Sequence, residues 1–316
     1  MIQHRSGYQT NKELVEAFKR DESRNIGIRL QFEGVGDKDV YNITAPFRDN
    51  GELILAGRVE GRTTEWSNVL FFRRQGEVWT PHPDYPVYDL QDPFFTRMNG
   101  ELIFGGVGLI KDSFDSDRIV SWETRFYRGP DALSLKPFLT GPDRMKDIRL
   151  IELSSGEVGV LSRPGGLLGG GPGSVIGFTK VSTLDDITAE IIASAPTFGH
   201  QFSPQEWGGA NEAHLLGNGF VGVLGHIAEF DGFDRRYRAM TFAINPETSE
   251  ISPMKIIAMR SNFPAGVAKR PDLADVVFSG GLVRKSGGLA DLFVGASDAE
   301  AYRIEIEDPF LEYERL

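Results

Sequence analysis

Charged and polar residues recur at corresponding places along the chain, near the ends of predicted apolar strands. Side chains of these types can exchange protons with a substrate or bind its polar groups. Because a charge on an otherwise apolar strand is costly to bury unless it is paired or used, the set as a whole indicates a functional site. Its members are Arg58, Glu60, Asp92, Lys146, Asp147, Arg163, Asn211, Glu212, His226 and Asp275.

The strands that must position these residues follow a turn cue that occurs five times. In each cue a turn built on Gly with Asn or Ser leads into an apolar strand, and Asn-Gly is a strong hairpin signal. The cues begin at residues 50, 99, 155, 217 and 286, a spacing typical of repeated sheets. Their sequences are NGELILAGRV, NGELIFGGVG, SGEVGVLSRP, GNGFVGVLGH and SGGLADLFVGAS.

Each cue lies between further predicted strands, which makes three or four strands in each of five units. This pattern predicts an all-β fold, a five-bladed β-propeller that occupies residues 1–316 as one domain with a short N-terminal extension. The innermost strands of a propeller surround one axis, so the polar residues at their ends are expected to share a pocket. A β-sandwich or a pair of barrels is the alternative, but neither needs five matched cues.

Two segments depart from the strand pattern. Asn11 to Lys19 predicts a short N-terminal helix, because Leu14 and Phe18 have the i, i+4 spacing of one helical face. The glycine-rich run from Gly165 to Gly173 predicts a long loop on the rim of the third unit.

Composition limits the classes of partner. The net charge of −11 and the absence of a basic block lead us to expect no binding to nucleic acid or to an anionic membrane. No apolar stretch approaches the roughly 18 residues of a membrane span, and the N-terminal residues lack a signal-peptide core. The lack of cysteine excludes thiolate chemistry and fits a reducing compartment, so we expect a cytoplasmic location.

Common cofactor motifs are also missing. The histidines lack an HxxxH zinc spacing, and no GxxxxGK[ST] loop offers a cradle for a nucleoside triphosphate. The segment GGLLGGGPG does not open a predicted helix after a strand, so it does not indicate a dinucleotide site. We therefore expect neither a metal site nor an organic cofactor.

Several motifs resemble, in the same order, those of glycoside hydrolase family 130, the β-mannoside phosphorylases. DLQDPFF followed by NGELIFGGV resembles that family's acidic-Asp-Pro motif, and MKDIRLIEL with SRPGG resembles its Lys-Asp and Arg-Pro strands. GFVGVLGHI and DVVFSGGLV resemble its Tyr-His-Gly and Val-Phe-x-x-Gly segments. The chain is more similar still to the mannosyltransferase/phosphorylases that act on β-1,2-linked mannose, through LILAGRVEGRTTEWSNVLFF, QDPFF in place of Glu-Asp-Pro-Arg, and GGANEAHLLGNG.

The resemblance implies an inverting transfer at the anomeric carbon of mannose. In such a transfer an acid protonates the leaving oxygen while phosphate, or another sugar, approaches from the opposite face. The resemblance makes Asp92 the acid, with its proton passing through a sugar hydroxyl. From local sequence alone, Asp92 is as readily a turn residue before Pro93.

Phosphate binding requires cations and hydrogen-bond donors. The resemblance places Lys146, Arg163 and His226 at the phosphate site, and Arg125 is a weaker fourth candidate. Taken singly, each basic residue is as readily one half of a salt bridge, and His226 is as readily a hydrogen-bonded core histidine. The expected co-substrate is inorganic phosphate or a sugar phosphate.

The resemblance also implies contacts with mannose hydroxyls. Arg58 and Glu60 are expected in the adjacent subsite with Asp275 opposite them, although Glu60 and Arg62 can instead form a surface ion pair. The full set of predicted sugar contacts is Arg58, Glu60, Asp147, Glu212 and Asp275. Tryptophans that either stack on sugars or pack in the core are Trp66, Trp122 and Trp207.

Three functions remain open. The leading one is phosphorolysis of β-1,2-mannosides to mannose 1-phosphate and the reverse extension, with mannose oligosaccharides and phosphate as partners and GDP-mannose as an additional donor to test. The second is an inverting hydrolase, which needs a second carboxylate about 6.5–9.5 Å from the acid; Glu212 and Asp275 are its candidates. The third is a non-catalytic propeller that binds glycans or proteins.

Overall fold

Strands dominate the structure. The computed structural model describes residues 9–20, 25–115, 118–165 and 171–316, and within these ranges the chain is mostly β-structure. The expected dominance of strands is therefore confirmed. Most of the predicted glycine-rich rim loop lies outside the described residues, which omit 166–170.

Within the described residues the strands form five consecutive, mainly antiparallel groups. Two short strands come first, β1 (Ile28–Arg29) and β2 (Gln31–Phe32). The first group is β3 (Asp39–Tyr41), β4 (Phe47–Asp49), β5 (Glu52–Glu60), β6 (Ser67–Gln75) and β7 (Val78–Pro81). The second group is β8 (Gln91–Met98), β9 (Glu101–Lys111), β10 (Ile119–Gly129) and β11 (Lys136–Thr140). The third group is β12 (Arg149–Glu152), β13 (Val158–Ser162) and β14 (Gly177–Val181).

The fourth and fifth groups share one hydrogen-bonded sheet. The fourth is β15 (Glu206–Leu215), β16 (Val221–Asp231), β17 (Asp234–Ile244) and β18 (Lys255–Ala258). The fifth is β19 (Asp275–Arg284), β20 (Leu289–Ala296) and β21 (Glu300–Glu307). A two-residue parallel pairing of β17 with β19 joins them. At the other edge β1 pairs with β21, and β2 pairs with β7 of the first group, so the N-terminal segment links the last group to the first.

The five predicted turns lie where the cues place them, directly before β5, β9, β13, β16 and β20. The Asn50–Gly51 and Asn99–Gly100 turns show why the cue works. All four of these residues have positive φ, as the tight turn of a two-residue hairpin requires, and Asn and Gly tolerate that conformation best. The cue therefore sets the start of the strand that follows it in each group.

Helices are short and peripheral. The predicted N-terminal helix is confirmed as α1 (Asn11–Lys19), which begins with a capping box between Thr10 and Glu13 and buries Leu14. The other helical segments among the described residues are α2 (Ala189–Ala193) and 3₁₀ turns at Leu184–Asp186, Arg260–Asn262, Pro271–Leu273 and Tyr313–Arg315. In the described part of the chain, no helix is long and apolar enough to cross a bilayer.

Hydrophobic clusters connect the groups in a closed cycle. Among the described residues, separate buried clusters join the first group to the second, the second to the third, the third to the fourth and the fourth to the fifth. A further cluster packs Val40, Ile43 and Phe72 of the first group against Phe293 and Ala301 of the fifth. Burial of apolar area thus holds each group against both of its neighbours.

Candidate active site

All five groups contribute to one cavity of 560 Å³. Arg58, Asp92, Arg163, His226 and Asp298 line it, and they come from the first to the fifth group in that order. Lys146 and Asp147, which immediately precede β12 in the chain, also line the cavity. The structure therefore brings together residues that are far apart in the sequence.

A constant spacing from the turn places several of these side chains. The residue seven positions after the turn glycine is Arg58 in the first group, Val107 in the second, Arg163 in the third and His226 in the fourth. All four line the cavity, because the same number of extended residues separates each from its turn. The turn cues therefore position the site as well as the strands.

The chain before each of the first four turns is also irregular in its backbone where it passes the cavity. Asn42, Asp92 and Asp147 all have left-handed backbone, with φ of 43°, 48° and 60°. In the fourth group a register shift at Asn211 has the same effect, since one extra residue bulges from the ladder. Left-handed backbone is strained for residues other than glycine and is concentrated at functional sites. Here it directs short polar side chains toward the cavity.

Asp92 is buried and held by two donors. Asn42 Nδ2 donates to Asp92 Oδ1 at 2.7 Å, and Arg58 Nη1 donates to the same oxygen at 3.1 Å. Burial raises the pKa of Asp92, but Arg58, Lys146 and the Asn42 hydrogen bond outweigh it and leave the pKa below its ordinary value. The carboxylate is therefore ionised at neutral pH.

Glu60 lies behind Arg58, outside the cavity lining. Arg58 Nε donates to Glu60 Oε2 at 2.9 Å, Tyr41 OH donates to Oε1 at 2.8 Å, and Lys269 forms a buried ion pair with the same carboxylate. The expected surface pair with Arg62 is wrong, since Arg62 pairs with Asp39 instead. Because Glu60 is 1% exposed, it orients Arg58 and is not placed to contact a sugar.

Replacement of Glu60 by Gln should therefore lower the free energy of unfolding. The buried cations Arg58 and Lys269 would each lose one of their charged partners, and breaking a buried pair in this way costs about 3–5 kcal/mol. The free energy of unfolding from urea titration measures the effect, with Glu33→Gln on the exposed surface as the matched control. A change below about 1 kcal/mol, the range of exposed pairs, would contradict the buried role.

The predicted phosphate ligands Lys146, Arg163 and His226 all line the cavity. Arg163 Nη1 donates to Asp147 Oδ2 at 2.6 Å, and His226 Nδ1 lies 2.8 Å from Asn211 Oδ1. Burial, together with Arg163 and Lys146, lowers the pKa of His226 to about 3, so its ring is neutral. Lys146 makes no salt bridge to any described residue, which leaves its ammonium group for a ligand.

Several buried polar atoms near these cations have no protein partner among the described residues. They are Arg163 Nε, Asn211 Nδ2, His226 Nε2 and Trp122 Nε1. Because unsatisfied buried polar groups are expensive, their concentration around one cavity favours a polar ligand as their missing partner.

Two charged residues at the site were not predicted. Arg149 is buried, stacks over the ring of Phe94 at 3.9 Å and donates to the Asn211 carbonyl at 2.5 Å; burial lowers its pKa to about 10. Asp298 lines the cavity from the turn between β20 and β21, and burial, with Asp92 and Glu60 nearby, raises its pKa. The positions of both residues depend on contacts between groups. In the sequence, only their proximity to the strands around the turn cues could have indicated them.

Two more predicted site residues, Glu212 and Asp275, are also absent from the described cavity lining. Glu212 follows the bulged Asn211, so its side chain turns the other way and accepts hydrogen bonds from Leu282 N and His214 Nε2. Asp275 is partly exposed at the start of β19, 3.7 Å from Arg236 Nε. Strand alternation and bulges, which the sequence did not reveal, account for this difference.

Arg125 lines a second, neighbouring cavity of 450 Å³. Its Nε donates to Glu123 Oε1 at 2.9 Å, and Trp66 lines the same cavity with Lys111 over its ring. Of the other two tryptophans, Trp122 lines the main cavity, and Trp207 lines it while packing in the core with 1% exposure. Arg125 is therefore separated from the three basic residues with which it was grouped.

Comparison with known proteins places the chain in a family. The family model described as a protein of unknown function, DUF1861, matches residues 16–312. The chain belongs to this family. A comparison of this DUF1861 chain with curated proteins found no match.

Solved structures similar to this DUF1861 protein include two enzymes from Leishmania mexicana. A mannose phosphorylase in complex with a phosphate ion is 37% identical, with 95% of this chain and 93% of that chain covered and a TM-score of 0.87. A GDP-Man-dependent mannosyltransferase is 34% identical, with 96% and 95% covered and a TM-score of 0.86. The resemblance to the mannosyltransferase/phosphorylases is thereby confirmed.

A more distant structure is similar in fold alone. The β-1,2-mannobiose phosphorylase from Listeria innocua is 12% identical, with 88% of this chain and 93% of that chain covered and a TM-score of 0.59. This likeness in fold extends over most of both chains.

Proposed function

We propose that this protein transfers mannosyl groups with inversion, cleaving β-1,2-mannosides with phosphate to mannose 1-phosphate and extending them in reverse. The observation that carries the proposal is the meeting of Asp92 with Lys146, Arg163 and His226 in one cavity. The Leishmania phosphorylase that binds phosphate and the related mannosyltransferase support it. We further infer that the five groups are the blades of a five-bladed β-propeller, because their cores close into a cycle and the Listeria enzyme has a similar fold.

The proposed phosphorolysis is a single displacement. An oxygen of the phosphate ion bound by Lys146, Arg163 and His226 bonds to C1 of the terminal mannose, while the bond from C1 to the glycosidic oxygen breaks on the opposite face. The leaving oxygen keeps the bonding electrons and receives a proton from the small fraction of Asp92 that is protonated, directly or through a sugar hydroxyl. In the reverse direction Asp92 takes the proton of the acceptor hydroxyl as that oxygen attacks C1 and phosphate leaves.

The lowered pKa of Asp92 suits the synthetic direction, because an ionised carboxylate is already a base. With saturating mannose 1-phosphate, we expect kcat for chain extension to stay constant from about pH 7 to about pH 4.5 and to fall below the ordinary Asp value of about 3.9. Stability of the fold is checked in parallel at each pH. A pH profile with a midpoint above about pH 5 would show that another group is the titrating base.

The experiment that tests the proposal uses β-1,2-mannobiose with and without inorganic phosphate. We expect mannose 1-phosphate to accumulate only when phosphate is present, together with an equal amount of mannose. Parallel extension assays with mannose 1-phosphate and with GDP-mannose identify the donor. Release of mannose at the same rate without phosphate would reject the phosphorylase function.

Inverting hydrolysis is the second candidate, and Asp298 is the observation that favours it. This function needs a second carboxylate as base, and Asp298 lines the cavity whereas Glu212 and Asp275 are not among its described lining residues. Its raised pKa makes it a weaker match for a base than an ionised carboxylate. Phosphate-independent turnover that is abolished in Asp298→Asn would support hydrolysis. A propeller that only binds glycans would show no turnover in either assay.

A further inference from the structure

A carboxylate stands inside the cluster of predicted phosphate ligands. Asp147 lines the cavity and is only 2% exposed, its Oδ2 accepts from Arg163 Nη1 at 2.6 Å, and the same oxygen lies 3.9 Å from His226 Nε2. A Cβ on Gly209 would lie 2.4 Å from this oxygen, so a glycine is needed beside it. Together with the strained φ of 60°, these contacts show that the fold holds the carboxylate in this place.

Asp147 is an acceptor of hydrogen bonds and not a donor. Burial opposes its ionisation, but Arg163, followed by His226 and Lys146, lowers the pKa to about 2. An ionised carboxyl group has lone pairs and no proton to donate. It therefore repels any ligand oxygen that also lacks a proton.

The imidazole of His226 supplies a second acceptor. Asn211 Oδ1 can only accept, so the proton of the neutral ring is on Nδ1, which donates to it at 2.8 Å. Nε2 then carries a lone pair, and it has no partner among the described residues. Two hydrogen-bond acceptors, the Asp147 carboxylate and His226 Nε2, thus lie beside the cations Lys146 and Arg163. An anion without a proton cannot donate to either acceptor.

We infer that Asp147 makes the anion site selective for an oxyanion that carries a proton, so that hydrogen phosphate binds and fully deprotonated anions are rejected. Hydrogen phosphate can donate its P–OH to the carboxylate while its other oxygens accept from Lys146 and Arg163. Sulfate and monofluorophosphate are tetrahedral dianions of similar size without an OH group, so each leaves the carboxylate facing an acceptor. This inference rests on the proposed phosphate-dependent function. If Asp147 only neutralised Arg163, the three anions would bind alike.

Isothermal titration of the whole protein with phosphate, sulfate and monofluorophosphate near pH 7.5 tests the inference. A hydrogen bond to a charged group corresponds to a factor of about 10–100 in affinity, and we expect phosphate to bind more tightly than either other anion by this factor. In Asp147→Asn the amide can donate a hydrogen bond, so phosphate should bind more weakly and the other two anions more tightly. The ratio of the affinity for phosphate to the affinity for either other anion should then fall toward one. Asp84→Asn, at an exposed loop position, is the matched control and should keep the selectivity of the unchanged protein.

The possible outcomes separate this inference from the proposed function. Equal binding of phosphate and monofluorophosphate to the unchanged protein would overturn the role of Asp147 and leave the phosphate site standing. If none of the three anions binds, the proposed function fails and the inference fails with it. Should Asp147→Asn not fold, as judged by circular dichroism, the ratio measured on the unchanged protein still decides.

Discussion

Replacement of Asp92 by Asn is expected to lower kcat for phosphorolysis of β-1,2-mannobiose by about 10²–10⁴-fold, the usual contribution of a general acid or base. The amide has nearly the same shape, and its oxygen can still accept from Asn42. Arg58 keeps its buried partner Glu60, so the fold should persist. The loss should therefore be one of chemistry, measured as the rate of mannose 1-phosphate formation.

Two controls make the Asp92 result specific. Asp37→Asn, on an exposed turn, should retain full activity, and titration should show that phosphate still binds to Asp92→Asn. Retained turnover in Asp92→Asn would contradict the proposed role and move the acid to Asp298, whose raised pKa keeps it closer to a protonated state. Asp298→Asn, made alone and in combination, then tests that assignment.

Replacement of Lys146 by Met is expected to raise the KM for phosphate by about 10–100-fold, which corresponds to loss of a charge-assisted hydrogen bond. Lys146 is the most informative of the basic residues to remove, because it makes no salt bridge to a described residue. Removal of Lys146 leaves no buried carboxylate without its salt-bridge partner, whereas removal of Arg163 would leave Asp147 unpaired. Initial rates over a range of phosphate concentrations measure the effect.

The matched control is Lys136→Met, which removes an exposed lysine from β11. It should leave KM for phosphate and for mannobiose unchanged. A rise in KM for mannobiose with an unchanged KM for phosphate in Lys146→Met would place the ammonium group in the sugar subsite instead.

Local features of the fold were predictable from sequence. The Asn-Gly turns need left-handed backbone, and their residues adopt it, so the starts of β5 and β9 follow from two residues each. The capping box and apolar spacing of α1 are likewise local. Because each lies seven residues after its turn glycine, the same pattern also indicated that Arg58, Arg163 and His226 occupy equivalent positions.

Partners between groups were not predictable, because a residue's neighbours across an interface leave no periodic signal. Glu60 was expected at a sugar, yet it is buried behind Arg58 with Lys269, which lies 209 residues away in the chain. Glu212 was expected at the site, yet the bulge at Asn211 turns it toward Leu282. Asp298 and Arg149 became visible only when the fifth and third groups were placed around the cavity.

The sequence by itself determined where strands begin, which residues end near a common level and which family the chain resembles, since turn chemistry and strand alternation act over a few residues. Only the tertiary structure decided which of those polar residues share the cavity, and which carboxylates there are ionised. Asp92 and Asp147 keep their charge because cations from other groups outweigh burial, whereas Asp298 has its pKa raised by burial and by the carboxylates beside it. Those charges depend on distances that exist only after the groups close into a cycle.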